Sequence, residues 1–340
     1  MRTLIAIVVA LFCLAADAGA QVDCRAAPCT LREAADAAGV YVGSAASDSL
    51  IASDPDYGPA LAREMNSVTH EVHLKWDATH PAPGVYTFDA ADALVNFAET
   101  HGMRVRGHTL IWEQFLLDAT PAYVTDITDA DELRALMTEH IQTVVGRYRG
   151  RVETWDVVNE PLETGGTGLY QNVFYELLGP GYIAEALRIA HEADPDAHLI
   201  INDVLVSNDG PKFAALLQLA ADLLAAGAPL HGVGIQGHFF LAPIPEQLQA
   251  NIEKLVALGL SVEITELDIL LRGPGDRAER LARQRADYRG VVGACMAVAG
   301  CRGVTTWGFT DRYTWIDSFL GPDFDPLLLD ESYVAKPAYD

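Results

Sequence analysis

Residues 151–161 read RVETWDVVNEP. Charge gives way to a short apolar run, the pattern of a buried β-strand, and the run stops on Asn159 and Glu160, two side chains able to do chemistry. Pro161 ends the strand, because it offers no backbone N–H for a further ladder bond. A lone carboxyl at a strand mouth says little, since many loops begin with Glu. A second one changes the reading: Glu266, in SVEITELDI from Ser261, stands in the same position at the end of another apolar strand.

Outward from that pair, eight short apolar or alternating runs recur along the chain. They are YVGSA from Tyr41, SVTHEVHL from Ser67, RVRGHTL from Arg104, ETWDVVNE from Glu153, HLIINDV from His198, GVGIQGHF from Gly232, SVEITELDI from Ser261 and GVTTWGFT from Gly303. Between them lie amphipathic stretches: Ala91 to Thr100, Asp131 to Tyr148, Tyr182 to Glu192, Phe213 to Ala226, Glu246 to Leu258 and Ala278 to Val298. Strand and helix alternating eight times predict an α/β fold of the closed (β/α)8 or TIM-barrel kind rather than an open sheet. Polar side chains fall where such a barrel needs them. Glu71, His108, Asn159 with Glu160, Asn202 with Asp203, Gln236 with His238, Glu266 and Trp307 sit near the C-terminal strand ends, which converge on one face.

The first twenty residues stand apart. Arg2 is a minimal basic start, Leu4 to Ala16 is an apolar run too short to span a bilayer comfortably, and Ala18-Gly19-Ala20 is a small-residue cleavage signal. Residues 1–20 are therefore expected to be a signal peptide, leaving a secreted or periplasmic chain that begins at Gln21. An N-terminal segment over 21–40 then leads into a single catalytic domain over 41–340, with no Ser, Gly or Pro run to mark a linker. The formal net charge of −24, unrelieved by any basic cluster, disfavours nucleic acid and anionic membrane surfaces but leaves a neutral ligand unopposed. Cys13 leaves with the leader, and Cys24, Cys29, Cys295 and Cys301 fall into two close pairs that suggest two local disulfides in an oxidising compartment. The rival is one four-cysteine metal site. Spacings of five and six match the tight CxxC knuckle poorly.

Two carboxyl groups facing each other across a cleft suit glycoside hydrolysis. One must hold a proton for the departing oxygen while the other stays ionised to attack or to activate water, and a gap of about 5 to 5.5 Å retains configuration where about 6.5 to 9.5 Å inverts it. His238 is the best neighbour for splitting the two pKa values, since an imidazole hydrogen-bonded to one carboxylate keeps that one charged. Trp112, Trp307 and Trp315 lie just after or within strand ends, where flat faces stack on sugar rings, whereas Trp155 inside its strand belongs to the core.

Together these residues resemble glycoside hydrolase family 10, the endo-β-1,4-xylanase family. The likeness runs from about Tyr41 to the C-terminus through NSVTHEVHLKWDATHP, GMRVRGHTLIW, WDVVNEP, IIND, GVGIQGHF, ITELDI, TTWGFTDRYTW and LLLDESYVAKPAY. It implies a retaining (β/α)8 hydrolase with Glu160 as acid/base after the fourth strand and Glu266 as nucleophile after the seventh. It also implies Asn159 on the sugar 2-hydroxyl, Gln236 and His238 orienting the nucleophile and that sugar, and Glu71, Lys75, His108, Trp112, Trp307 and Trp315 lining the glycone side. CMAVAGC matches a disulfide loop of the family, which pairs Cys295 with Cys301; the Cys24–Cys29 pair has no such support. Secretion, xylan or another β-linked polysaccharide or oligosaccharide as substrate, a monomeric state, and no cofactor or metal complete the expectation.

The chain also departs from the family. Val72 stands where the family has Asn, Glu113 replaces a histidine, and Val204-Leu205 replaces a Tyr-Asn pair. Each lost polar contact is worth ~1 kcal/mol, so weak or unusual xylan preference is expected. A related barrel β-glycosidase on shorter or other β-glycans is the alternative. A carbohydrate-binding homologue without catalysis is a further one, but it has no need of the carboxyl pair. Other signals carry less. GVGIQG lacks the helix that a dinucleotide fingerprint requires, no GxSxG elbow is present, and His70 and His73, three apart on a strand, point to opposite faces. Asp203 and Asp268 are expected to be supporting hydrogen-bond partners.

Overall fold

Eight parallel strands form a closed ring: β1 (Tyr41–Ala46), β2 (Ser67–His70), β3 (Arg104–Ile111), β4 (Thr154–Asn159), β5 (His198–Asp203), β6 (Gly232–Ile235), β7 (Ser261–Ile269) and β8 (Cys301–Thr306). Each pairs with its successor, and β8 returns to β1 through Tyr41↔Gly303 to Ser44↔Thr306, so no edge is left. The computed structural model describes Cys24 and residues 29–113, 119–240 and 244–340, so the expected leader lies outside the described residues. β3 and β4 are buried almost end to end, as strands covered on both faces must be.

Helix α1 (Leu31–Ala38) precedes the barrel, and α2 (Tyr57–Glu64), α3 (Asp89–Thr100), α4 (Ala130–Arg147), α5 (Tyr182–Ala193), α6 (Pro211–Ala225), α7 (Leu248–Val256) and α8 (Arg277–Met296) follow β1 to β7 in turn. Their sequences explain them. In α5, Ile183, Ala186, Leu187 and Ala190 make one buried stripe at helical spacing, and α8 opens on a capping box of Asp276 and Glu279. The Cys295–Cys301 disulfide ties the end of α8 to the start of β8, and Cys24 is bonded to Cys29. Outside β8 and β1, between α1 and α8, lies an apolar cleft of about 420 Å³ that includes Leu31, Val42, Val292, Met296 and Val304. It is the sector an eighth barrel helix would cover.

Several strand boundaries differ from the sequence reading. β2 stops at His70 rather than running through Leu74, because its ladder to β3 ends at Thr69↔Arg106 and the chain turns. The run from Gly232 breaks after Ile235 and resumes as the two-residue strand His238–Phe239 on β7, since Gly237 passes close against Leu267. β7 runs Ser261 to Ile269 as read from the sequence, with a register shift against β8 between Ile264 and Leu267. β8 begins two residues early and leaves Trp307 just beyond its end.

Trp155 lies in the core with no exposed surface, as expected. It fits because β3 presents Gly107 opposite it: a Cβ there would meet Trp155 ring carbons at 2.2 and 2.3 Å. Gly107→Ala is therefore expected to destabilise the fold by about 1–3 kcal/mol through overpacking. A urea unfolding curve within about 0.5 kcal/mol of wild type would mean that the ring moves aside freely.

Candidate active site

Two strands each carry two side chains at alternate positions, Arg106 and His108 on β3 and Glu266 and Asp268 on β7, and the segment just after β6 adds Gln236 and His238. They meet at the C-terminal mouth. Glu266 is 4% exposed and accepts from Asn202 Nδ2 at 2.7 Å on one oxygen. Its other oxygen faces His238 Nε2 at 3.0 Å. His238 Nδ1 contacts Asp268 Oδ2 at 2.9 Å, and Trp315 Nε1 donates to that same oxygen at 2.9 Å.

The charges sort themselves accordingly. Burial opposes a charged His238, but Asp268 and Glu266 on either side outweigh it and raise the imidazole to about 10. Burial likewise opposes ionisation of Glu266, yet the hydrogen bond from His238, then the electrostatic pull of His108, His238 and Arg106, hold it at about 2. Glu160 goes the other way. Burial first, then the negative charge of Glu266, pushes it up to about 7. Two carboxyl groups at one mouth thus hold opposite protonation states over a wide range of pH.

Amides join them. Gln236 Nε2 donates at 3.3 Å both to Glu160 Oε1 and to Asn159 Oδ1, and Asn202 Nδ2 donates to Asn159 Oδ1 at 2.8 Å and to Glu266. The Asn159 oxygen is taken by two donors, and among the described residues no hydrogen bond from Asn159 Nδ2 is formed, which leaves that group to meet a ligand.

Sequence reasoning singled out these residues but missed the pair beneath them. Arg106 is 3% exposed and forks onto Asp156, its Nε at 3.0 Å from Oδ1 and its Nη2 at 2.5 Å from Oδ2. Arg106 Nη2 also lies 3.7 Å from Glu266, and His108 Nδ1 is 2.7 Å from Asp156. The signal was available: Arg106 and Asp156 are charges inside strands that bury both faces, and such charges are almost never fully buried unless paired. Burial keeps the His108 ring below its ordinary pKa against the hydrogen bond to Asp156, while Arg106 and His108 hold Asp156 below its own against burial.

The remaining predicted residues gather around this centre. Lys75 Nζ sits 4.8 Å from the centre of the Trp112 ring; burial lowers the lysine and raises Glu71 beside it. His108 is edge-on to Trp307 at 5.0 Å, and His238 to Trp315 at 5.3 Å. Trp112 and Trp307 are only 6% and 8% exposed, so little of either ring is open to a ligand. At the rim, Val72 and Leu205 are 46% and 53% exposed, while Glu113 accepts the Val173 N–H at 3.0 Å and ties the loop after β3 to the loop after β4.

His70 and His73 do not point apart. The turn that ends β2 brings their rings to 5.0 Å, and both face Asp48, His73 at 2.7 Å and His70 Nε2 at 3.4 Å. His70 Nδ1 accepts the His73 N–H at 3.0 Å, so its proton is on Nε2 and no lone pair is left there for a metal. The supporting roles expected for Asp268 and Asp203 match their contacts, with His238 and Trp315 for the first and with Lys212 for the second.

The Glycosyl hydrolase family 10 profile matches residues 30–340. An endo-1,4-beta-xylanase of Agaricus bisporus is 37% identical over 314 residues, which cover 92% of each chain. The crystal structure of native xylanase 10B from Thermotoga maritima superposes with a TM-score of 0.86 at 35% identity, covering 91% of this chain and 95% of that one. Xylanase 10B from Thermotoga petrophila RKU-1, solved with xylobiose, gives 0.85 at 34% identity over 91% and 94%.

Carbon-13 NMR of labelled glutamate checks the split directly. One resonance, lost in Glu160→Gln, is expected to titrate near pH 7. In Glu266→Gln the same resonance should titrate lower, because the neighbouring negative charge is gone; an unmoved midpoint would separate the two groups.

Proposed function

Because the chain belongs to glycosyl hydrolase family 10, we propose that it is a retaining endo-β-1,4-xylanase in which Glu160 is the acid/base and Glu266 the nucleophile. The observation that carries this reading is the opposed protonation of two carboxyl groups tied into one hydrogen-bonded set. The Glu266 carboxylate attacks the anomeric carbon as Glu160 gives its proton to the departing oxygen, and a glycosyl ester forms. Glu160, now ionised, takes a proton from water as the water displaces Glu266, and configuration is retained. Asn159 offers its amide nitrogen to the 2-hydroxyl, Gln236 and His238 hold the pair, and Glu71, Lys75, His108, Trp112, Trp307 and Trp315 receive the glycone. The relatives named as xylanases, one of them solved with xylobiose, point to xylan or its oligosaccharides as substrate.

The rim argues for a weakened grip on long chains. Val72 and Leu205 put apolar surface in water where a hydrogen-bonding side chain could hold a sugar, each absent bond worth ~1 kcal/mol. Short substrates depend on the rim less. The apolar leader at residues 1–20 and two disulfides support a secreted enzyme. Among the described residues no helix is long and apolar enough to cross a membrane.

The proton inventory dictates the pH profile. Catalysis needs Glu160 protonated and Glu266 ionised, so kcat/KM on xylan should hold through the mildly acidic range and fall as pH rises through about 7. Glu160→Gln and Glu266→Gln should each lower kcat/KM about 10²–10⁴-fold with the far-UV circular dichroism unchanged. Near-normal activity of either variant on natural substrate would remove the assignment. Val72→Asn should lower KM for xylan about fivefold while kcat changes less than about twofold; a KM at the wild-type value would clear Val72 of any part in the grip.

A further inference from the structure

Glu160 has φ 52°, a left-handed backbone that a side chain this large adopts only when its surroundings insist. Its neighbour Pro161 has no N–H with which to be tied down. The Pro161 carbonyl accepts the Tyr170 N–H at 2.8 Å, and the backbone N–H groups of Glu160 and Leu162 both donate to the last residues of β5. Glu160 N–H donates to Asn202 O at 2.7 Å, and Leu162 N–H donates to Asp203 Oδ2 at 3.2 Å. The other Asp203 oxygen takes the Val204 N–H at 2.8 Å and the Lys212 ammonium at 2.8 Å. Asp203 has no exposed surface and the Lys212 side chain is 10% exposed, in the first turn of α6.

We infer that the buried Asp203–Lys212 pair is the positioning device that fixes the turn carrying Glu160, and so aims its carboxyl at the glycosidic oxygen. Burial raises Asp203 to about 6 against the pull of Lys212, so at neutral pH it is an anion that accepts from Leu162 and Val204 and is ion-paired with Lys212 at once. Lys212 makes the anion tolerable where no water reaches it, and anchors it to a helix rather than to another loop. It also keeps the post electrically quiet: Asp203 alone would push Glu160 further up, and Lys212 offsets that. Neither residue contacts Glu160 through its side chain among the bonds above. Both act through the backbone of the turn.

The inference rests on Glu160 being the proton donor, and leaving-group dependence tests the two separately. With an aryl β-xylobioside, the C–O bond to a dinitrophenolate breaks without a proton, whereas the bond to a phenolate needs one. kcat/KM reports that first bond-breaking step. Asp203→Ala is expected to lower kcat/KM on the phenyl substrate about 50-fold and on the dinitrophenyl substrate less than about threefold. Lys212→Met should give the same split at about five- to tenfold, and Asp203→Asn, which keeps the acceptor oxygen, should recover most of the loss on the phenyl substrate. Glu160→Ala is the control. If it lowers both substrates equally, Glu160 is not the donor and the functional reading itself falls. If it splits them while Asp203→Ala lowers both alike, the pair is merely structural and only this inference is overturned. Should Asp203→Ala fail to fold by circular dichroism, Lys212→Met decides, with an equal loss on both substrates counting against the role.

Discussion

A protonated imidazole held between two buried carboxylates governs the mouth of this barrel. His238 lies 2.9 Å from Asp268 and 3.0 Å from Glu266, and neither acid has more than 4% of its surface exposed. On its far side Glu266 meets Arg106, which forks onto Asp156. Opposite charges thus alternate through the interior. A buried ion that loses its partner costs about 3–5 kcal/mol, so each member of the series is held to its charge by its neighbours.

Glu160 is outside that series. Among the described residues its carboxyl accepts from one amide, that of Gln236, and it senses burial and the field of Glu266 first, with smaller and opposed contributions from Asp203 and Lys212. The division of labour between the two glutamates is therefore not a property of glutamate, nor of a local motif. It arises because one carboxyl terminates a chain of donors and cations while the other stands beside it without a cation of its own in contact.

The strand geometry makes this possible at little structural expense. Side chains two apart on a strand share a face, so β3 and β7 each deliver a stacked pair to the interior, and the shell around them stays apolar with Trp155, Val157 and Leu267 wholly buried. Glycines set the spacing. A Cβ at Gly234 would come within 2.3 Å of the Asn202 side chain, the amide that bridges Asn159 and Glu266. Variation is left to the rim, where Val72, Glu113 and Leu205 occupy loop positions that do not support the ring of strands.

Periodicity in the sequence determined the barrel, the order of its strands and helices and the face where chemistry gathers, because period-two and period-3.6 patterns are local properties of the chain. Motif content singled out Glu160, Glu266, His238 and the aromatic residues. Tertiary structure decided what required distances between strands far apart in sequence. The Arg106–Asp156 fork joins residues fifty apart, the turn after His70 brings two histidines together that an unbroken strand would have separated, and the opposed protonation of the glutamates depends on burial and on neighbours from β3, β5, β6 and β7. Charge states of buried groups are set by the summed field of their surroundings, and that field exists only once the strands have closed.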